Sequence, residues 1–264
     1  FTHAQSPRAK TTPAVTTILT GRYPHEHGVR DFASPLEAHI PTLAEALRSR
    51  GWDTAAIVGN WVLSQRQSGL ARGFETWIED FPVIRGVPPD DVPEQAADGL
   101  TDAALAYLGL EGSTASPITS AGREAPWFLW LHYMDPHGAY AAPEQHALFQ
   151  SEAPHPIDDS SAGNLPPRIA TYNVPPEAWL PDGRIDAGRV VAAYDAEIHF
   201  VDAEIGRLLE RLRAAGTLAN TWIVLTADHG ESLGEKRYWF EHGAYAHEAT
   251  CRVPLIVHAP LHFP

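Results

Sequence analysis

The chain has 264 residues, 44% hydrophobic and 20% charged, a length and composition typical of one large globular domain spanning residues 1–264. Its formal net charge of −14 has the wrong sign for general affinity to a nucleic-acid backbone, so we expect no nucleic-acid partner. The single cysteine, Cys251, excludes an intrachain disulfide framework, and no run reaches the roughly 18–20 apolar residues of a membrane segment.

Three segments in the first half of the chain carry helix signals. The first covers residues 13–19, because Pro13 is tolerated in a first helical turn and Thr11 or Thr12 precedes it. Residues 42–50 form a second predicted helix that ends before a glycine. Residues 98–110 form a third, followed by a loop rich in Gly, Ser and Pro that extends to residue 126.

The second half begins with a long irregular stretch and continues with the strongest helix. Residues 138–186 are rich in Pro, Asp and Ser, and a stretch of this length without periodicity is often a lid or a substrate-side loop. Residues 190–215 show apolar residues at alternating three- and four-residue steps, which predicts a helix with one buried stripe. The stripe consists of Ile198, Val201, Ile205, Leu208 and Leu212.

Four short apolar runs have the length and composition of buried strands. They cover residues 54–58, 127–131, 221–225 and 253–257. Because they alternate with helices, we predict an α/β sandwich with a largely parallel central sheet and helices on both faces. Ligands of such sheets collect at the carboxyl ends of the strands, where Asp135, His137, Asp228 and His229 fall.

The Asp228–His229 pair directly follows an apolar run and precedes Gly230. A carboxylate and an imidazole on a tight turn offer the oxygen and nitrogen ligands that suit zinc, manganese or another divalent ion. The alternative is a helix-capping aspartate beside a surface histidine.

A hydroxyl precedes the first predicted helix at Thr11 and again at Thr12. Backbone N–H groups and the helix dipole favour negative charge at such a position, which suits an alkoxide and the anionic ester that it attacks. A bound metal ion lowers the pKa of a hydroxyl further. The alternative is that the threonine only caps the helix.

Five stretches in order carry a resemblance to the sulfatase branch of the alkaline phosphatase superfamily. Sulfatases have a Cys or Ser, converted to formylglycine, in a C/S-x-P-S-R segment that ends in L-T-G-R. Here residues 11–22 read TTPAVTTILTGR, so that Pro13 and residues 19–22 match and Thr11 takes the nucleophile position. The other four stretches are LHYMDPHGAY (131–140), YDAEIHFVDAEIGRLL (194–209), LTADHGESLGE (225–235) and HGAYAHEATCRVPLIV (242–257).

The resemblance implies an alkaline phosphatase-like sandwich and a metal-dependent hydrolase of sulfate or phosphate esters. Thr11 would be the nucleophile and a metal ligand, and Asp228 and His229 would be the other metal ligands in this chain. The ion would be Ca²⁺, Zn²⁺, Mn²⁺ or Mg²⁺. Substrates would be sulfate or phosphate esters of small molecules, glycans or lipids.

The resemblance also gives roles to two further histidines and a lysine. His137 would contact the non-bridging oxygens or the leaving group of the ester. His242 would protonate the leaving group or bind the anion, since histidine donates protons near neutral pH. Lys10 would add positive charge for substrate binding beside Thr11. The alternatives are solvated loop histidines and an exposed lysine.

Departures from the sulfatase pattern affect the expected substrate. Thr11 cannot become formylglycine, because that modification starts from Cys or Ser, so we expect none. Val15 stands where formylglycine sulfatases have an arginine, and Ala244 stands about where many have Lys or His. A threonine nucleophile resembles the phosphatase and phosphodiesterase members and favours phosphate.

Other members carry acidic metal ligands on a first strand upstream of the nucleophile, whereas none of the ten residues before Thr11 is acidic. We therefore expect that strand, and a C-terminal subdomain after Pro264, to lie outside this sequence. Two alternatives stay open. One is transfer of a phosphoglycerol or phosphoethanolamine group to an acceptor, and the other is a non-catalytic member that acts as a binding module.

Overall fold

The computed structural model describes residues 1–32, 34–81, 95–111, 125–151, 153–163 and 169–260. Most of the loop predicted between residues 110 and 126, and parts of the predicted 138–186 loop, lie outside these ranges. In the described ranges the helices are α1 (Thr11–Thr20), α2 (Pro24–His27), α3 (Leu43–Arg48), α4 (Gln65–Ser68), α5 (Ala97–Leu108), α6 (Ala187–Ala214) and α7 (Glu248–Cys251). The strands are β1 (Asp53–Val58), β2 (Thr76–Ile78), β3 (Trp127–His132), β4 (Pro156–Ile157), β5 (Ile185–Asp186), β6 (Ile223–Thr226), β7 (Ser232–Leu233), β8 (Trp239–Glu241) and β9 (Leu255–His258).

A parallel sheet in the order β2-β1-β3 forms the centre of the fold. Ala56 and Val58 of β1 pack in a cluster with Val15 and Leu19 of α1. Ile57 points to the opposite face and packs with Leu100 of α5. Side chains alternate between the faces of a strand, so helices cover both faces, which confirms the predicted α/β architecture.

The last two predicted strands form a separate antiparallel pair, β6 with β9, in which Leu225 lies opposite Ile256. Each begins two residues later than predicted, at Ile223 and Leu255. The pair matters for function because β6 ends at Thr226, immediately ahead of the Asp228–His229 turn.

The long helix α6 confirms the predicted helix but buries a different face in its first half. Ile198, which we placed on the buried stripe, is 42% exposed. Glu197 and Phe200 are buried instead. The reason is a polar contact, in which the Ala141 backbone N–H donates to Glu197 Oε1 at 2.6 Å. The helix therefore packs on the segment that follows His137.

The described part of residues 138–186 contains short 3₁₀ turns and the antiparallel pair β4–β5. Its apolar side chains pack with the first turn of α6 and with the β7–β8 hairpin. The cluster consists of Tyr140, Ile157, Val174, Ala178, Ile185, Ala187, Val190 and Phe240. This segment thus connects the residues around His137 with the hairpin that precedes His242. Among the described helices, none combines the length and the apolar character required to cross a bilayer.

Candidate active site

Thr11 opens α1 at the point where the helix offers free N–H groups. The residue before it, Lys10, is the N-cap but makes no side-chain capping bond. The backbone N–H of Ala14 donates to the Lys10 carbonyl and forms the first hydrogen bond of the helix. The N–H groups of the first turn are not used inside a helix, so they favour negative charge nearby. Thr11 is 3% exposed and its hydroxyl contacts His229. The threonine therefore does not serve as the cap of its own helix.

The turn after β6 holds the Asp228–His229 pair in a fixed geometry. Asp228 Oδ1 accepts the backbone N–H of His229 at 2.9 Å, and His229 Nδ1 lies 2.9 Å from the Gly230 carbonyl. The Nδ1 nitrogen therefore carries the proton and Nε2 presents its lone pair. Gly230 is required because a Cβ there would lie 2.1 Å from the carbonyl oxygen of Ala249.

Two oxygen atoms lie close to His229 Nε2 and form with it a set of three donor atoms. Thr11 Oγ1 lies at 3.2 Å and Asp228 Oδ2 at 3.4 Å. Adjacent ligands of one cation, bound at about 2.1 Å each, are separated by about 3.0–3.4 Å, so the set fits a divalent ion. In the described ranges no group of three or more His, Cys, Asp or Glu side chains is arranged to hold a metal. The set thus fits part of a coordination shell that would need further ligands.

Asp228 has the charge state that a metal ligand needs. Burial alone would raise the pKa of its carboxyl, but the neighbouring imidazoles, His229 and His132 first among them, lower the pKa below its usual value. An ionised carboxylate beside an imidazole lone pair is a typical ligand pair for Zn²⁺ or Mn²⁺.

Two further predicted histidines join the same site. The ring of His242 stacks on that of His229 with 4.2 Å between centroids. The ring of His137 meets His242 edge-on, with 5.2 Å between centroids. The structure therefore brings together Thr11, His137, Asp228, His229 and His242, five of the six predicted site residues, from four separate parts of the chain.

Glu231 orients the ring of His242 and favours its protonated form. Its Oε2 lies 3.2 Å from His242 Nδ1, and both side chains are more than nine-tenths buried. Burial by itself would lower the pKa of His242, but the hydrogen bond and negative charge of Glu231 outweigh burial and raise the pKa. The nitrogen that Glu231 does not contact, Nε2, is left to carry a proton for donation.

His137 has the opposite electrostatic setting. Burial, followed by the positive charge of His242, lowers the pKa of His137 to about 4. Its Nδ1 lies 2.6 Å from the Gly138 carbonyl, which fixes the ring. Strongly shifted pKa values of this kind are typical of functional sites.

Lys10, the sixth predicted residue, has its polar contact outside this arrangement. Its ammonium group pairs with Asp31 at 2.7 Å and lies over the ring of Phe32 at 5.1 Å. The contact with Lys10 lowers the pKa of Asp31. The charge of Lys10 is thus largely matched by a carboxylate, and its role in substrate binding stays a prediction.

Several residues at the site were not selected from the sequence. Glu231 lies two positions after His229 in the stretch LTADHGESLGE, and this proximity is the signal that could have identified it. His132, the last residue of β3, has a buried Nδ1 without a hydrogen-bond partner in the described residues, and burial first of all lowers its pKa. Asn173 lies in the stretch predicted to be a loop, where no local pattern singles it out.

Comparison with known proteins places the chain in a family. A family model described as Sulfatase matches residues 1–264. Among curated proteins, choline-sulfatase from Rhizobium meliloti is 24% identical over 285 residues, which cover 94% of this chain and 53% of that protein. A multifunctional alkaline phosphatase superfamily protein from Trinickia caryophylli is 26% identical, covering 93% of this chain and 57% of that protein. The chain thus spans about half the length of the curated relatives that it matches.

Solved structures agree on the fold. The phosphonate monoester hydrolase of Agrobacterium radiobacter superposes with a TM-score of 0.72 at 21% identity, covering 99% of this chain and 61% of that one. A structure described as BT4656 in complex with D-glucosamine-2-N,6-O-disulfate gives 0.69 at 21% identity, covering 98% and 63%. At these identities the likeness concerns the fold alone, and it confirms the predicted sandwich. With the family match over its whole length, the chain belongs to the sulfatase family.

Proposed function

We propose that this chain carries the nucleophile and part of the metal site of an enzyme that hydrolyses phosphate, phosphonate or sulfate monoesters. The observation that supports it most is the contact between Thr11 Oγ1 and His229 Nε2 at 3.2 Å, at a helix N-terminus and beside Asp228. A buried threonine in that setting would have its hydroxyl activated and its anionic substrate stabilised.

Asp228, His229 and Thr11 would hold a divalent cation together with ligands from outside the described set. When bound, the cation would stabilise negative charge on the attacking oxygen and on the non-bridging oxygens of the ester. The protein's own contribution is to fix these ligands, since the Gly230 carbonyl orients His229 and the His229 N–H orients Asp228.

In the first half-reaction Thr11, having released its hydroxyl proton to solvent, attacks the phosphorus or sulfur atom through Oγ1. The bond from that atom to the leaving oxygen breaks, and the leaving oxygen takes the proton of His242 Nε2. The raised pKa of His242 keeps this proton bound to higher pH than in an ordinary histidine. The products are an alcohol, a threonyl ester on Thr11 and a neutral His242.

In the second half-reaction water attacks the threonyl ester. Neutral His242 accepts a proton from that water, the bond to Thr11 Oγ1 breaks, and inorganic phosphate, phosphonate or sulfate leaves. His137 would hold the anion through the cycle. Its pKa of about 4 in the free site would rise on contact with the negative charge of the ester, so that it binds the anion in its protonated form.

The proposed substrate class is supported by the proposed nucleophile and by the relatives. The matched proteins include a choline-sulfatase and an N-acetylglucosamine-6-O-sulfatase, and a neighbour in fold is a phosphonate monoester hydrolase. Thr11 lacks the aldehyde chemistry of formylglycine and attacks as an alkoxide, which favours phosphate and phosphonate esters over sulfate esters. We therefore place monoesters of phosphoric and phosphonic acids first.

The proposal is tested with Thr11→Ala and Thr11→Ser in the full-length protein, on aryl phosphate, aryl phosphonate and aryl sulfate monoesters. We expect Thr11→Ala to lower kcat by at least about 1,000-fold, since removal of a nucleophile abolishes the covalent route. Thr11→Ser, which keeps a hydroxyl, should retain part of the activity. Thr20→Ala is the matched control, because its hydroxyl lies at the far end of α1, where it donates to the Thr16 carbonyl and accepts the Arg22 N–H. Wild-type turnover in Thr11→Ala would overturn the proposal.

A further inference from the structure

A buried asparagine lies between the two histidine-bearing segments of the site. Asn173 is 2% exposed and belongs to a 3₁₀ turn, Thr171–Asn173, within the stretch predicted as an irregular loop. Its Oδ1 is buried and has no hydrogen-bond partner in the described residues. Buried polar atoms are rarely left unpaired, so an asparagine kept at this position requires an explanation beyond filling space.

One side of Asn173 contacts the backbone next to His137. A Cβ added to Gly138 would lie 2.3 Å from Asn173 Oδ1, so the amide occupies the space where residue 138 would place a side chain. The Gly138 carbonyl in turn lies 2.6 Å from His137 Nδ1 and sets the orientation of that ring. The asparagine therefore supports the peptide that orients His137.

The other side of Asn173 contacts the backbone next to His242. Asn173 Nδ2 donates to the Phe240 carbonyl at 2.7 Å. Phe240 is fully buried and has a φ of 56°, a left-handed conformation that is uncommon for a bulky residue, and the β7–β8 register shifts beside it. Its carbonyl therefore lies outside the hydrogen bonds of the β7–β8 pair and needs another donor. Asn173 is that donor, and the carbonyl that it contacts lies two residues before His242.

We propose that Asn173 is a positioning residue that sets the separation and orientation of His137 and His242 by bridging the backbones at Gly138 and Phe240. It does not touch the reacting atoms, and its effect passes through the two peptides that it contacts. The inference rests on the proposed function, because it assigns Asn173 to the anion-binding and proton-donating histidines of the same site.

The test compares Asn173→Asp and Asn173→Ala with wild type on two esters of the same acid, one with a phenol and one with a 4-nitrophenol leaving group. A displaced His242 protonates the leaving oxygen poorly, and the unactivated phenol depends most on that proton. We expect kcat on the phenyl ester to fall about 10- to 100-fold, with a clearly smaller loss on the 4-nitrophenyl ester and KM within about threefold. Asn220→Ala, at an exposed asparagine, is the matched control.

Asn173→Asp keeps the volume of the side chain but removes the donor to the Phe240 carbonyl. This variant therefore tests the positioning role of Asn173 even if Asn173→Ala fails to fold. A second measurement is a double-mutant cycle that combines Gly138→Ala with Asn173→Ala. The methyl group that Gly138→Ala adds collides with the side chain of Asn173 when that side chain is present. We expect Gly138→Ala to cost less activity when Asn173 is already alanine, because the contacts with Oδ1 and Cγ are then gone and only the contact with Cβ remains. Equal losses on the two esters, or wild-type kcat in a folded Asn173→Asp variant, would overturn the inference. If Thr11→Ala itself retains turnover, the proposed function fails first, whatever the result at Asn173.

Discussion

His229 Nε2 lies 3.2 Å from Thr11 Oγ1, although 218 positions separate the two residues in the chain. The contact joins the N-terminus of α1 to the turn after β6, and each element supplies what the other lacks. The helix provides free N–H groups and a hydroxyl, and the turn provides a carboxylate and an imidazole lone pair. A cation and an anionic ester can both be stabilised where these groups meet.

Replacing the carboxylate of Asp228 should weaken metal binding. We expect Asp228→Asn in the full-length protein to lower affinity for Zn²⁺ or Mn²⁺ by more than about 10- to 100-fold, the usual cost of losing only an outer-shell partner. Activity should return in part at high metal concentration. Titration calorimetry with each ion gives the affinity, and Asp202→Asn, at an exposed position on α6, is the control. Unchanged affinity would remove Asp228 from the metal site.

The low pKa of His137, about 4 in the free site, makes anion binding depend on pH. A bound anion raises that pKa, so binding takes up a proton wherever the pH lies between the free and the bound value. Affinity for inorganic sulfate, which does not titrate in this range, should therefore fall as pH rises above about 4, up to about tenfold per unit.

Calorimetry of sulfate binding in buffers with different ionisation enthalpies counts the protons taken up. His137→Gln should lose both the uptake and the pH dependence, whereas His25→Gln, at an exposed histidine, should keep them. Sulfate affinity that does not change with pH in the wild type would show that His137 does not bind the anion in its protonated form.

Glu231 should control the basic limb of the pH–rate profile. Its carboxylate raises the pKa of His242, so the proton-donating form persists to higher pH than in an ordinary histidine. Glu231→Gln removes that charge, and the basic limb of kcat/KM should move to lower pH, with the plateau reduced by less than the nucleophile variants reduce it. Glu210→Gln on the exposed side of α6 should leave the limb in place. A limb that stays where it is in Glu231→Gln would mean that another group donates the proton.

Local signals in the sequence were sufficient to predict a helix near Thr11 and a turn at Asp228 and His229. Pro13 predicts a helix over residues 13–19, and the structure extends it to Thr11–Thr20, so that Thr11 and Thr12 lie in its first turn and do not precede it. An apolar run ahead of Asp228 marks a strand end. Both depend only on neighbouring residues. The expectation that residues after strand ends lie together placed His137 near Asp228 and His229, and the structure brings them together through His242. The two segments nevertheless follow different sheets, because β6 pairs with β9 and not with the parallel sheet of β3.

Long-range hydrogen bonds explain what the pattern of α6 could not predict. Ile198 satisfies the apolar periodicity but is exposed, because Glu197 turns inward to accept the N–H of Ala141, 56 positions earlier. The partner of Asn173, the Phe240 carbonyl, is 67 positions away. Contacts of this kind leave no periodic trace, so the residues that orient a site are harder to read from a sequence than those that perform the chemistry.

The most direct test of Thr11 as nucleophile is to trap the covalent intermediate. The full-length enzyme is mixed with an excess of an aryl phosphate monoester, quenched in acid within milliseconds to seconds, digested and analysed by mass spectrometry. We predict a phosphoryl adduct on Thr11, in the peptide that contains residues 11–22, which disappears in Thr11→Ala together with turnover. Full turnover with no adduct at Thr11, or an adduct on another residue, would contradict the mechanism proposed here.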